Sequence, residues 1–406
     1  MTDALSEAGT ATNARLLEGV RVLEFGQIAA GPFAGSLMAD LGADVVKIER
    51  PGEGDGMRNW PPLTPNASGE TFSENFASLN RNKRSVALDL KDPADVAALR
   101  ALCGQADVLI ENFRPGVMER TGFGYAALSA LNPRLVYCSI SGYGQTGPYA
   151  SRGAFDVTVQ AMSGLMSVTG EEGGGPVKCG VPVGDFCAGL YAAYTIAAAL
   201  LRRQRTGRGG QIDCSMLGSL IGVSALQTSE HLGTGEDGRR LGSAHPRNAP
   251  YQAFKASDDH FVIAAGNDKL WRSVCEATGL DDLAERPEYG TQALRALNQA
   301  ELARELQAVF VTRTAREWLG EMDRRGVPAS PINRFSQVLA DPQVEHLGLL
   351  HELELPNGQR TRTTGFPVLV SDFGFEISRP PPGLGQHNRE VLREWGAARP
   401  AEVMAS

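Results

Sequence analysis

The sequence has no cysteine pair at metal or redox spacing, no apolar run long enough to cross a bilayer, and no excess of positive charge. Each absence argues against a class of protein. Its six cysteines, at 103, 138, 179, 187, 214 and 275, are scattered without C-x-x-C spacing. Neither a zinc site nor a disulfide framework is expected, and the chain reads as a reduced, cytoplasmic protein. The longest apolar run, Phe186 to Leu201, ends in Arg202-Arg203 and falls short of the ~20 residues a spanning helix needs. It reads as a buried helix. Met1 to Asn13 are small and polar, with neither a charged leader nor an apolar core, so no signal peptide is expected. A net charge of -8 and a pI near 5.4 argue against nucleic acid as the main partner.

Two catalytic signatures are missing as well. There is no G-x-S-x-G elbow and no histidine in a triad-like context, which argues against a Ser-His-Asp hydrolase. The first glycine turn, Gly26-Gln27-Ile28-Ala29-Ala30-Gly31, lacks the G-x-G-x-x-G order. No glycine stands at position 28, where a dinucleotide pyrophosphate would approach the backbone, so nicotinamide binding is disfavoured.

What is present is a globular enzyme-sized chain. The 406 residues, 42% hydrophobic and 21% charged, suffice for about two or three domains. Val20 to Phe25 alternates as a strand, and Gly31-Pro32 opens a helix over 33–41, because proline is tolerated in a first turn. Ala43 to Glu49 reads as a strand, Asp92 to Gln105 as a helix, and Val108 to Glu111 and Leu135 to Ser141 as strands. Such alternation means βαβ units and a parallel sheet. A long helix after Asp185 leads through Thr206-Gly207-Arg208-Gly209-Gly210 into the strand Gln211 to Ser215. The stretch Gly233 to Gly242 is polar and glycine-rich, as a linker would be. Beyond it, paired strands at 251–254 and 260–265 and helices at 269–278, 298–311 and 315–324 suggest a smaller α+β unit. A helix over 388–395 follows Arg379-Pro380-Pro381-Pro382.

The most informative segment is Gly180-Val181-Pro182-Val183-Gly184-Asp185. It sets a lone carboxylate between glycine-rich backbone and the first turn of an alanine-rich helix. An ionised carboxylate needs no general base to attack an activated acyl group, and small neighbours admit a bulky substrate. The alternative is a plain helix N-cap, a position that Asp favours strongly. Local sequence leaves both open.

Basic residues gather near the carboxyl ends of the early strands: Lys47, Arg50, Arg58, Arg81, Lys83, Arg84 and Lys91. Ligands of open α/β sheets bind at that edge, so the enrichment leans toward a phosphate-bearing ligand. Glu49 is a plausible ribose partner. Asn112, ending a buried strand before Arg114-Pro115-Gly116 and Arg120, could bond a ribose or diphosphate, or simply form a turn. The loop Gly142-Tyr143-Gly144-Gln145-Thr146-Gly147-Pro148, with Phe155 and Asp156 after it, could close over a thioester.

These residues carry a resemblance. From about Leu17 to Trp395 the chain resembles the class III CoA-transferases, the family of formyl-CoA transferase, carnitine CoA-transferase and α-methylacyl-CoA racemase. The landmarks are Ala30-Gly31-Pro32, Gly42 to Glu49, Asn82-Lys83-Arg84-Ser85, Glu111-Asn112-Phe113, Gly142 to Pro148, Gly184-Asp185 and Arg379 to His387. The resemblance implies an α/β fold in an interlocked homodimer. A large Rossmann-like CoA-binding domain would span 1–224 and 331–406, with a small α+β domain over 225–330. It implies that Asp185 is acylated and then holds CoA, that Arg50, Lys91, Asn112 and Arg120 contact the nucleotide part of CoA, and that coenzyme A thioesters are substrates, with no metal or resident cofactor.

The racemase branch has a His-Asp pair where Phe155-Asp156 stands, so proton exchange at an α-carbon loses a partner. Formyl-CoA transferase has glutamine where Ala29 stands, and its glycine-run lid is not evident around Gly242 to Pro246. Gly242-Ser243-Ala244-His245 with Pro250 to Lys255 looks closest to the branch moving CoA from succinyl-CoA to dicarboxylates such as glutarate. Backbone amides around Gly144 are the expected oxyanion donors, and Gln27 and Arg247 the candidates for a distal carboxylate. An acyl-CoA isomerase and a non-catalytic CoA-binding protein are the competing readings.

Overall fold

The structure, a computed structural model, describes residues 15–397; the stretch read above as lacking a signal peptide lies outside them. The chain divides into two compact units. One contains 15–165, 178–233 and 343–397, the other 166–177 and 234–342.

The first unit is built on six parallel strands: β1 (Arg21–Glu24), β2 (Asp44–Glu49), β3 (Lys83–Ala87), β4 (Val108–Glu111), β5 (Val136–Ser141) and β6 (Gly210–Ser215). Their order across the sheet is β3-β2-β1-β4-β5-β6. Strand order therefore reverses between β1 and β4, and in open α/β sheets ligands bind outside the carboxyl ends at that reversal. The interior strands are buried on both faces, as the run Val108-Leu109-Ile110 requires.

β3 is absent from the sequence reading. Lys83-Arg84-Ser85 looks polar, yet all three are buried and their charges are paired inside the unit.

Three helices, α1 (Ala30–Asp40), α3 (Asp156–Met162) and α4 (Val183–Thr206), contribute residues to the site, while α2 (Pro93–Gln105) buries Leu99 and Leu102 in the core elsewhere in the unit. α2 starts where Asp92 caps the Ala94 amide and Pro93 takes the first turn. α4 stops at Gly207, whose φ of +70° is the left-handed closure that glycine permits. Its buried stripe, Ala188, Ala192, Ile196 and Leu200, joins the core formed by β1, β4, β5 and α1. Gly189 lets α1 approach closely, since a Cβ there would lie 3.0 Å from the Ala30 carbonyl.

The helix expected here to be buried is buried along one face alone. Leu190, Tyr191, Tyr194 and Leu201 are exposed on its other face. At 24 residues it is also longer than the apolar run suggests, and by length and composition alone it would suffice to cross a membrane. α5 (Met216–Val223) packs beside it, and α6 (Ala225–Thr234) continues the chain with no buried residue.

The second unit has a three-stranded antiparallel sheet, β7 (Tyr251–Lys255), β8 (His260–Ala264) and β9 (Ala329–Pro331), with β8 central. Helices α7 (Asp268–Thr278), α8 (Gln299–Phe310) and α9 (Ala315–Arg324) close an aromatic core of Phe254, Phe261, Trp271, Phe310 and Trp318. α9 begins with a full capping box, Thr314 with Glu317. The polar stretch 234–242 lies in this unit together with the glycine-rich segment 166–177, which nothing in its composition sets apart from the first unit.

Candidate active site

A cavity of about 380 Å³ opens where the turns after β1, β4 and β5 converge. Gln27 to Ala30, Asn112 to Pro115 and Ile140 to Tyr143 line it, with Phe155, Asp156 and Asp185. This is the carboxyl edge at the strand-order reversal, and three turns remote in sequence meet there because the sheet is parallel.

Asp185 is not a cap. It is the third residue of α4; the cap position is Pro182, which has no side chain able to accept a hydrogen bond. The capping bond comes instead from Asp156, whose Oδ1 accepts the Gly184 amide at 2.8 Å. Glycine is required at 184 because a Cβ would sit 2.9 Å from that oxygen. Relieved of capping, the Asp185 carboxylate faces the cavity without a hydrogen bond to any described residue. Burial, then the nearby negative charge of Asp156, pushes its carboxyl up to about 6. It is still mostly ionised at neutral pH, and a half-buried carboxylate of raised pKa is a stronger nucleophile than one held by protein hydrogen bonds.

The turn after β1 is held by side chains from three directions. Asn112 grips Gln27 at both ends, its Oδ1 accepting the backbone amide at 2.8 Å and its Nδ2 donating to the carbonyl at 2.9 Å. Asp55 accepts the Ile28 amide at 3.1 and 3.2 Å. Lys47 Nζ donates to the Gly26 carbonyl at 2.6 Å. Ile28 thereby sits at φ +63°, a costly conformation for a β-branched residue. The turn feeds α1, whose first residues face the cavity with no side-chain cap, leaving a helix N-terminus directed at the ligand space.

Most of the basic cluster read as a phosphate site is internal structure. Lys47, fully buried, bridges Glu24 at 2.8 Å and Asp55 at 2.9 Å. Lys83 bonds Glu24 at 2.6 Å, Arg58 bonds Glu49 at 2.7 Å and Arg81 bonds Asp40 at 2.5 Å. Arg84 joins Asp44, Glu390 and Glu394. Glu49 is no ribose ligand either: buried, it accepts from Arg58, Ser85 and the Asp55 amide. Buried charges must be paired, so residues that look like a basic surface become the frame of the site.

Of the residues named for CoA, Asn112 lines the cavity, through its grip on Gln27. Arg50, Lys91 and Arg120 are exposed and do not line it; Arg50 pairs with Glu53 at 3.0 Å. Gln27 and Phe155 line it, Phe155 with 77% of its surface exposed. Two of the expected oxyanion donors after β5 are engaged: the Gly144 amide donates to Ser141 Oγ at 3.0 Å and the Gln145 amide to Asp213 at 2.9 Å. Arg247 belongs to the second unit, where its amide donates to His245 Nδ1 at 3.1 Å.

Arg114, expected at the ligand-facing edge, does bring positive charge to the cavity wall, and so does Arg152, which sequence reasoning passed over and which lies 3.9 Å over the Tyr149 ring. The only signal for Arg152 was a place in the loop after β5. Glu111, just beneath at the end of β4, is pushed up to about 7 by burial, Ser139 opposing.

Known proteins resemble this chain over most of its length. The family model described as CoA-transferase family III matches residues 17–388. A protein named succinyl-CoA:glutarate CoA-transferase from Mus musculus is 42% identical, the match covering 93% of this chain and 86% of that protein. A succinate–glutarate CoA-transferase from Agrobacterium fabrum is 40% identical, covering 93% of this chain and 95% of that one. The crystal structure of a CaiB/BaiF family protein from Brucella suis superposes with a TM-score of 0.84 at 37% identity, covering 93% of this chain and 99% of that one.

Proposed function

The chain belongs to CoA-transferase family III, and from that membership we propose that it moves CoA from succinyl-CoA to a dicarboxylic acid through covalent intermediates on Asp185. The observation that carries the reading is an aspartate with no hydrogen-bond partner among the described residues and a carboxyl pushed up to about 6, facing the cavity at the sheet's carboxyl edge. The names of the mouse and Agrobacterium relatives support the donor and the acceptor class.

An Asp185 oxygen attacks the thioester carbonyl, and the C–S bond breaks to give an acyl-aspartyl anhydride and CoA thiolate. The thiolate attacks the aspartyl carbonyl, the donor acid leaves as its carboxylate, and an aspartyl-CoA thioester remains. The acceptor carboxylate attacks that carbonyl and expels CoA thiolate, forming a second anhydride. Attack of the thiolate on its acceptor-side carbonyl yields the new acyl-CoA and frees Asp185. No net thioester energy is lost. The uncapped first turn of α1 and the Gln27 carboxamide face the space where oxyanions develop. Arg114 and Arg152 would hold anionic parts of the substrates, with Arg50, Lys91 and Arg120 along the exposed course of the nucleotide.

The same reading takes the first unit as a Rossmann-like CoA-binding domain, supported by its strand order, and the second as the small domain. A homodimer is supported by exposed Tyr194, Leu226 and Leu232 on α4 and α6. Six unpaired cysteines support a reducing, cytoplasmic setting.

The test is to incubate the enzyme with succinyl-CoA and a panel of mono- and dicarboxylic acids and to read new thioesters by mass. New dicarboxyl-CoA products are expected. Isomerised acyl-CoA without exchange, or binding without turnover, would replace this reading.

A further inference from the structure

Gln160 is fully buried on α3, does not line the cavity, and has no part in the chemistry above. Both ends of its carboxamide are nonetheless committed. Nε2 donates to Asp156 Oδ2 at 2.6 Å, and Oε1 accepts the Cys179 amide at 2.8 Å. The other Asp156 oxygen accepts the Gly184 amide at 2.8 Å. The segment from Cys179 to Gly184, which delivers the chain into α4, is therefore stapled at both ends to one face of α3. Between the staples Gly180 is exposed and Val181 is 45% exposed, while Val183 packs against the core. Asp185 follows the second staple directly.

We propose that Gln160 is a positioning residue for the transfer reaction, fixing through Asp156 the first turn of α4 and so the direction of the Asp185 carboxylate. The proposal rests on Asp185 being the nucleophile. Asp156 cannot serve alone, because a carboxylate gripping one amide can swing about that bond; the Gln160 donor fixes its second oxygen. The Cys179 bond in turn fixes the rotamer of Gln160. Displacing an attacking oxygen by even ~1 Å costs on the order of 100-fold in rate while leaving substrate binding intact.

Two variants separate this role from ordinary core packing. Gln160→Glu keeps the length and the acceptor for Cys179 but sets two carboxylates against each other. Its kcat should fall about 10- to 100-fold, with KM for succinyl-CoA within about threefold of wild type. The double variant Asp156→Asn/Gln160→Glu exchanges donor and acceptor, so that all three hydrogen bonds can re-form. It should recover at least about tenfold of the lost kcat, a rescue that a packing role would not produce. Thermal melting of both variants checks that the loss belongs to folded enzyme. A wild-type kcat in Gln160→Glu, or a double variant no better than the single, overturns the proposal. Failure of the nucleophile reading shows separately, as turnover by Asp185→Asn, and would remove both.

Discussion

Asp185 carries its charge where the surroundings disfavour it. Its carboxyl titrates near 6 in the fold against an ordinary 3.8. Between those values the folded chain keeps a proton that the unfolded chain releases, so this group's contribution to stability falls as pH rises from about 4 to about 6. Above pH 6 the full penalty is present, on the order of 1–3 kcal/mol. Asp185→Asn should therefore melt at a higher temperature than wild type near pH 7 and converge with it near pH 4, while losing transfer. Equal midpoints at pH 7 would mean that the charge is well solvated. In the wild-type enzyme kcat/KM should drop about tenfold per pH unit below about pH 6, as the nucleophile protonates. A profile flat down to pH 5 would contradict that assignment. At this scale the sequence was legible only in part. Asp185 stood out because a lone carboxylate opened an apolar helix, but its freedom from capping depends on Asp156, a residue from another helix.

The turn between β1 and α1 shows how elements place the site. Its left-handed Ile28 is held by Asn112 from β4's end and by Asp55 and Lys47 beneath. Asn112→Ala removes both bonds to Gln27 and should let the turn relax, lowering kcat/KM about 10-fold or more with a modest change in melting temperature. Asn112→Asp keeps the acceptor and should fall between. If Asn112→Ala matches wild type, the grip on Gln27 is irrelevant to turnover. Most elements were readable from period and punctuation: Asp92-Pro93 starts α2 and Gly207 ends α4. β3 was not, since its polarity hides a strand whose charges are neutralised by Glu24, Asp44, Glu390 and Glu394. For the same reason a supposed phosphate-binding cluster turned out to be internal ion pairs. Spacing reports which residues are charged, but not which partners the fold brings to them.

For the whole molecule, alternating strands and helices sufficed to expect a parallel sheet, and its strand order set the cavity where such sheets bind ligands. The exposed apolar face of α4 and α6 is a feature that a single chain leaves unexplained. Tyr194 is 74% and Leu232 84% exposed, more apolar surface than a free helix face usually shows water. Light scattering should give twice the 43.3 kDa chain mass, and Tyr194→Lys with Leu232→Lys should shift the protein toward monomer. A wild-type monomer at micromolar concentration would contradict the dimer.

The most direct test of the covalent account is to quench the enzyme with hydroxylamine during turnover of succinyl-CoA and map the modified peptide by mass spectrometry. The account predicts a hydroxamate on Asp185, absent without acyl-CoA. An unmodified Asp185 in a sample that is turning over, or a label confined to another side chain, would contradict it.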